Sequence, residues 1–172
     1  AQIRGTDQAI RNSLDGQALL DTAEGAHKEV ENILQRMREV AVQSGNDTNN
    51  TQDRTNLQAE MDAMITEIDR IAGTTTWAGA NLMNATTGST FSFQVGAATG
   101  TQNQIAVTIG SMNAAALSVT AALVDVTTSA ASRTSGITQV DKAIMTVNTQ
   151  RSNLGAVSNR LNHTVNNLTN IS

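Results

Sequence analysis

The sequence predicts a mainly α fold: an elongated bundle of long antiparallel helices carrying a small β-hairpin. Three observations carry that prediction. Ile137, Val140, Ile144, Val147, Arg151, Leu154, Ser158, Leu161, Val165 and Leu168 step by three and four. That rhythm keeps one stripe on one side of a helix for about 50 Å. A second stripe, Ala23, Ala26, Val30, Ile33, Met37 and Val40, has the same spacing near the N-terminus. The 172 residues include two Phe, one Trp and no Tyr, Pro or Cys. Each aromatic would bury roughly 150–250 Å²; without them, Leu, Ile, Val, Met and Ala suit thin layers of close-packed helices.

The elements follow in order within a single domain, 1–172. A first helix is expected over about 6–43, with Ile10 and Leu14 extending its apolar face and Gly5, Gly16 and Gly25 each weakening it by roughly 1 kcal/mol. Residues 44–50, Ser-Gly-Asn-Asp-Thr-Asn-Asn, read as a loop with Gly45 as a C-cap. Asp53 or Thr51 caps a second helix over about 53–72, whose Leu57, Met61, Met64, Ile68 and Ile71 form its stripe and which ends at Gly73. Thr74 to Gly79 is turn-like. Phe91, Phe93 and Val95, then Ile105, Val107 and Ile109, alternate with polar or small residues and predict a hairpin over about 91–109. The Ala/Ser/Thr-rich stretch 110–131 is expected to be irregular, and the final helix to run over 132–172. Chain direction makes the two long helices antiparallel, with their outer ends together. The last helix has no stop signal and the chain lacks a starting Met, so it reads as a trimmed piece.

Composition removes several functions. The net charge of −4 is mild and the Lys and Arg are scattered, which argues against nucleic acid. No run of 18 apolar residues exists, so no membrane insertion is expected, and no secretory signal peptide opens the chain. The absence of Cys excludes thiol catalysis and Cys-zinc sites. His27 and His163 stand on different helices and read as surface or lightly packed side chains, not ligands. Glu60, Asp62, Glu67 and Asp69 scatter around their helix, and an exposed Glu67–Arg70 pair contributes well under about 1 kcal/mol. Gly96 to Gly100 lacks the Gly-Lys-Ser/Thr ending of a phosphate loop. No enzyme, metal or cofactor is therefore expected. Asn32, Gln35, Arg36, Glu39 and Gln43 form one polar stripe, which spacing alone reads as a solvated helix face.

Four strings, in order, closely resemble bacterial flagellin. Leu34-Gln35-Arg36-Met37-Arg38-Glu39-Val40-Ala41-Val42-Gln43 is similar to the family's LQRxRELxVQ, with Val40 where Leu is usual. Glu67-Ile68-Asp69-Arg70-Ile71 matches EIDRI, and Phe93-Gln94-Val95-Gly96-Ala97 matches the (I/F)QVGA strand and turn. The stretch from Arg151 to Leu161 resembles RxxLGAxxNRL. Trp77-Ala78-Gly79 departs from the usual Phe-Asn-Gly.

The resemblance implies the inner rod domain of a flagellin, without its terminal filament-core helices or large outer domains. It implies a structural subunit, secreted to the extracellular flagellum at the cell surface, that self-assembles through long helices for motility. Its implied partners are other flagellin subunits and the animal innate immune flagellin receptor. Gln35, Arg36, Glu39, Gln43 and Glu60 are the positions the resemblance marks for those contacts. Surface loops of the family sometimes carry O-glycans, which draws attention to Thr and Ser between Thr86 and Ser135. The trimmed form is expected to be monomeric. The alternative is a cell-surface homologue acting as an adhesin or polysaccharide-binding module, its surface-glycan site formed by the loops at 86–89 and 96–104 together with the Ala/Ser/Thr-rich stretch.

Overall fold

The computed structural model describes residues 2–84, 88–96 and 103–171. Its element order is α1 (Gln2–Ser44), α2 (Thr51–Thr74), β1 (Thr76–Trp77), β2 (Ala80–Asn81), β3 (Ser89–Gln94), β4 (Gln104–Ile109) and α3 (Ala130–Ile171). At about 1.5 Å per residue, the 43 residues of α1 and the 42 of α3 each extend over roughly 60 Å.

The two long helices lie antiparallel. Arg38 meets Asp141 at 2.6 Å, Glu24 meets Arg151 at 2.8 Å, and Gln17 bonds Asn162, so numbers fall on α3 as they rise on α1. The stripes read from the sequence form this seam: Ala23, Ala26, Val30, Met37 and Val40 are buried, as are Val140, Val147, Leu154 and Leu161. Ile33, Ile137, Ile144 and Val157 pack at its margins. Val40, where the resemblance marks a departure, lies fully inside the core and not on the polar face.

The cap of α2 differs from the expectation. Asn50, not Asp53 or Thr51, is the N-cap: its Oδ1 accepts from the Asp53 amide at 2.8 Å, and the Asp53 carboxylate accepts from the Asn50 amide at 3.0 Å. This reciprocal pair is a capping box with Asp in the Glu position. The helix also runs past Gly73, to Thr74, because the Thr75 amide and hydroxyl both donate to the Ile71 carbonyl. On the buried side of α2 stand Leu57, Met61, Ile65, Ile68, Ile71 and Ala72, while Met64 is only partly buried.

Residues 74–79 hold more order than a turn. β1 and β2 form a small antiparallel ladder, Thr76 opposite Asn81 and Trp77 opposite Ala80. The connecting Ala78 and Gly79 have φ of 50° and 83°. Two successive left-handed residues match the I′ turn that suits a two-residue hairpin. Asn81 ties this turn to the end of α2, its Nδ2 donating to the carbonyls of Ala72 and Gly73 at 3.0 Å.

The main hairpin pairs β3 with β4, from Ser89 opposite Ile109 to Gln94 opposite Gln104. It therefore begins two residues earlier than expected. Ile105, Val107 and Ile109 point inward while their neighbours point out. β3 packs on α1 and β4 on α3. The Asn12 amide donates to the Gln94 carbonyl at 2.9 Å, and Gln150 donates to the Thr108 carbonyl at 3.1 Å. Gly16 sits where three elements converge: a Cβ there would lie 3.0 Å from Leu161 and 3.3 Å from Phe93.

The stretch between β4 and α3 has no helix or strand, yet it is closely held. Met112, Ala114, Leu117, Val119, Val124 and Val126 are buried. Its backbone amides find partners on α2 and the preceding loop: Met112 on the Met83 carbonyl at 2.9 Å, Ala114 on Asp69 at 2.8 Å, and Val126 on Gln58 at 2.8 Å. Unpaired amides beside a core would be costly, and these side chains supply what a ladder would otherwise provide. The stretch thus runs back along α2 and closes that side of the core.

Three substitutions test this packing in denaturant melts. Gly25 is exposed and a Cβ there meets nothing within 4 Å, so Gly25→Ala raises stability by about 1 kcal/mol. Gly16→Ala brings no such gain and lowers stability, because Leu161 and Phe93 must move. Ala78→Asn relieves the left-handed strain at Ala78 and stabilises by about 1 kcal/mol.

Candidate functional site

The polar stripe marked in the sequence lies exposed on α1. Asn32, Gln35, Arg36, Glu39 and Gln43 all face solvent, while Leu34, Met37, Val40 and Ala41 between them are buried. Glu60 is exposed on α2 and comes to the same face. Arg36 joins the two helices, its guanidinium 3.0 Å from Glu39 and 3.7 Å from Glu60. The three side chains are about half exposed or more, with relative accessibilities of 51%, 68% and 52%. Such pairs add little to fold stability, typically under about 1 kcal/mol. Gln35 and Gln43 flank this triad on α1 without joining its ion pairs; the Gln43 carbonyl accepts from Asn49 at 2.6 Å, which closes the α1–α2 loop. The result is an exposed, charged face shared by two helices, suited to contact with another surface.

The carboxylates of α2 separate by role. Glu67 and Arg70 pair at 2.5 and 2.8 Å in solvent, and the Arg70 hydrogen bond holds the Glu67 carboxyl below its ordinary range. Asp69 instead anchors Ala114. Asp62 accepts from Gln58 at 2.9 Å. They do not converge.

A second cluster was only half legible. Arg151, the polar member of the α3 stripe, lies between Glu24 and Glu31 of α1. Glu31 is the more enclosed carboxylate, its side chain 18% exposed. These hydrogen bonds, Glu24 first, hold the guanidinium firmly protonated. His27 stands between the two glutamates in sequence, and the reading of it as a surface or lightly packed side chain is wrong: it is fully buried. Its Nδ1 lies 2.6 Å from the Ala23 carbonyl and its Nε2 has no partner among the described residues. Burial pushes its pKa below the ordinary value of 6.5. The signal was the spacing 24, 27, 31, which puts all three side chains on one helix face toward α3. His163 is exposed, as expected.

The groove between Leu20, Glu24, Arg151, Leu154 and Ser158 holds about 180 Å³, below the roughly 300 Å³ at which small-molecule pockets begin. A trough on α3 beside Lys142, Met145 and Gln150 is an open surface feature. No described helix is long and apolar enough to cross a membrane. The loops weighed as a glycan site fall largely on 85–87 and 97–102, outside the described residues.

Fold and face together define a class: a rod of two long antiparallel helices, braced by a third helix and a hairpin, presenting a charged lateral surface. Residues 1–88 match the bacterial flagellin N-terminal helical region, and residues 137–172 match the bacterial flagellin C-terminal helical region. The chain belongs to the bacterial flagellin family. It is 44% identical to a flagellin of Halalkalibacterium halodurans over 172 residues, covering all of this chain and 62% of that protein. A flagellin of Bacillus subtilis is 42% identical over 199 aligned positions, covering 97% of this chain and 64% of that one. The chain thus spans somewhat under two thirds of these relatives' length. The crystal structure of Bacillus cereus flagellin superimposes with a TM-score of 0.75 at 31% identity, over 92% of this chain and 88% of that one.

Arg151→Ala leaves Glu31 enclosed without its cation and lowers stability by about 2 kcal/mol. Glu67→Ala, which breaks a pair held in solvent, leaves stability close to that of the parent. Urea melts of the two variants check the contrast.

Proposed function

We propose that the chain is the rod domain of a structural subunit of the bacterial flagellar filament, secreted to the cell surface and working by self-assembly for motility. The observation that supports this reading is the charged face of Gln35, Arg36, Glu39, Gln43 and Glu60. It is exposed on a rod whose central apolar seam, from Ala23 to Val40 and from Val140 to Leu161, is buried internally, so it is available for contact with a neighbour. A contact between this face and a different surface of the next copy does not close on itself, and repetition gives an open helix. The same face, through Gln35, Arg36 and Glu60, is the surface proposed for the animal innate immune flagellin receptor.

Expression in a bacterial host lacking its own flagellin tests the assembly reading: filaments in electron micrographs and restored swimming are expected, and an exported protein that never polymerises defeats it. Arg36→Ala should leave thermal stability within about 1 kcal/mol of the parent while reducing filament number and length. Unchanged filaments would remove Arg36 from the contact. A titration of parent and Arg36→Ala against the receptor ectodomain checks the second role, with weaker binding expected for the variant.

A further inference from the structure

We propose that His27 is a proton-operated latch at mid-rod: in mild acid its Nε2 takes up a proton, and the cation so formed, enclosed beside Arg151, loosens α1 from α3 around the Glu24–Arg151–Glu31 clamp. The geometry sets this up. Nδ1 lies 2.6 Å from the Ala23 carbonyl, which can only accept, so Nδ1 carries the hydrogen and Nε2 keeps its lone pair. Nε2 is buried with no partner among the described residues. Protonation there turns an unpaired acceptor into an unpaired charged donor, an unfavourable state in an apolar interior. The proton comes from water and is returned to it when the pH rises, so the latch resets.

The surrounding charges do not rescue the cation. Glu24, one turn back on the same helix, attracts it, but Glu24 is already bonded to Arg151 at 2.8 Å. Arg151, from α3, repels it. Glu31 is engaged by the same guanidinium. On α2 the buried residues are apolar, Glu67 and Arg70 pair with each other in solvent, and Asp69 holds the Ala114 amide. Between Arg70 and Asp125 the sequence has no charged residue and no histidine, so the hairpin and covering stretch supply no counter-ion. The imidazole is therefore neutral in the rod and ordinary in the unfolded chain. The contribution of the neutral His27 to rod stability is fully present above pH 6.5 and is lost as the pH falls below that value, until His27 itself is protonated in the rod.

The test is the pH dependence of unfolding between pH 7.5 and 5.5. One extra proton on the unfolded chain raises the unfolding constant by up to about tenfold per pH unit. His27→Gln should flatten this slope and His163→Gln should keep it. Two readouts on the unaltered protein stand apart from whether variants fold. In NMR titration, His27 should titrate below 6.5, and at pH 5.5 amide exchange should quicken around 23–31 and 148–154. A His27 that titrates at or above 6.5, exchange that does not change there, or a folded His27→Gln that keeps the parent's slope overturns the proposal.

Discussion

The structure depends on one constraint: α1 and α3 must lie against each other in a single lengthwise register. Apolar stripes stepping by three and four give cohesion but little register, because Ala, Val and Leu at one level resemble those a heptad away. The register is set by features that cannot be displaced by a heptad. Arg38 finds Asp141 near one end, Gln17 finds Asn162 toward the other, and Arg151 is held between Glu24 and Glu31 midway. Gly16 adds a steric key, admitting Leu161 and Phe93 only where α1 has no side chain. A buried or half-buried ion pair adds little net stability against an apolar alternative, but it penalises every register that leaves a charge alone.

Once that register holds, the remaining elements have one place to go. α2 packs along α1, the hairpin spans α1 and α3, and the stretch from Met112 to Val126 closes over α2. The covering layer is uncharged from Ile71 to Val124, and its tethers are hydrogen bonds from backbone amides to Asp69 and Gln58. Its position is set by hydrogen-bond satisfaction and burial, not by salt-sensitive pairing. At its far end Asp125 accepts from Thr128 and then Thr127, bonds that hold its carboxyl below the ordinary range and turn the chain into α3.

What could be read from residues alone follows from the range of the interactions. Helix period and strand alternation are local, so α1, α2, α3 and the main hairpin were legible, as was the mainly α class. The family strings added the identity of the rod. Boundaries set by side-chain competition were less legible. Asn50 capping with Asp53 reads no differently in sequence from Asp53 capping by itself, and Gly73 looks like a stop until Thr75 bonds back to Ile71. The order in residues 110–129 was invisible because its partners lie far away in sequence: Ala114 answers Asp69, and Val126 answers Gln58. His27 was misread for the same reason. The spacing 24, 27, 31 puts the three side chains on one helix face, but it carries no mark of burial, and only the partner helix encloses His27 there.

The proposed contact face is tied to the core more closely than its exposure suggests. In the stretch from Leu34 to Gln43, Leu34, Met37, Val40 and Ala41 are inside while Gln35, Arg36, Glu39 and Gln43 are outside. Each residue advances an α-helix by about 100°, so any rotation that repacks the inner set re-aims the outer one. The ion pairs that hold α1 in register against α3 therefore also hold the direction in which Arg36 points. A small slip of the seam at Arg151 is carried along a stiff helix to that face. Substitutions at the clamp should consequently alter contact geometry at Arg36 without touching it, and the size of that coupling is a property of helix rigidity more than of surface charge.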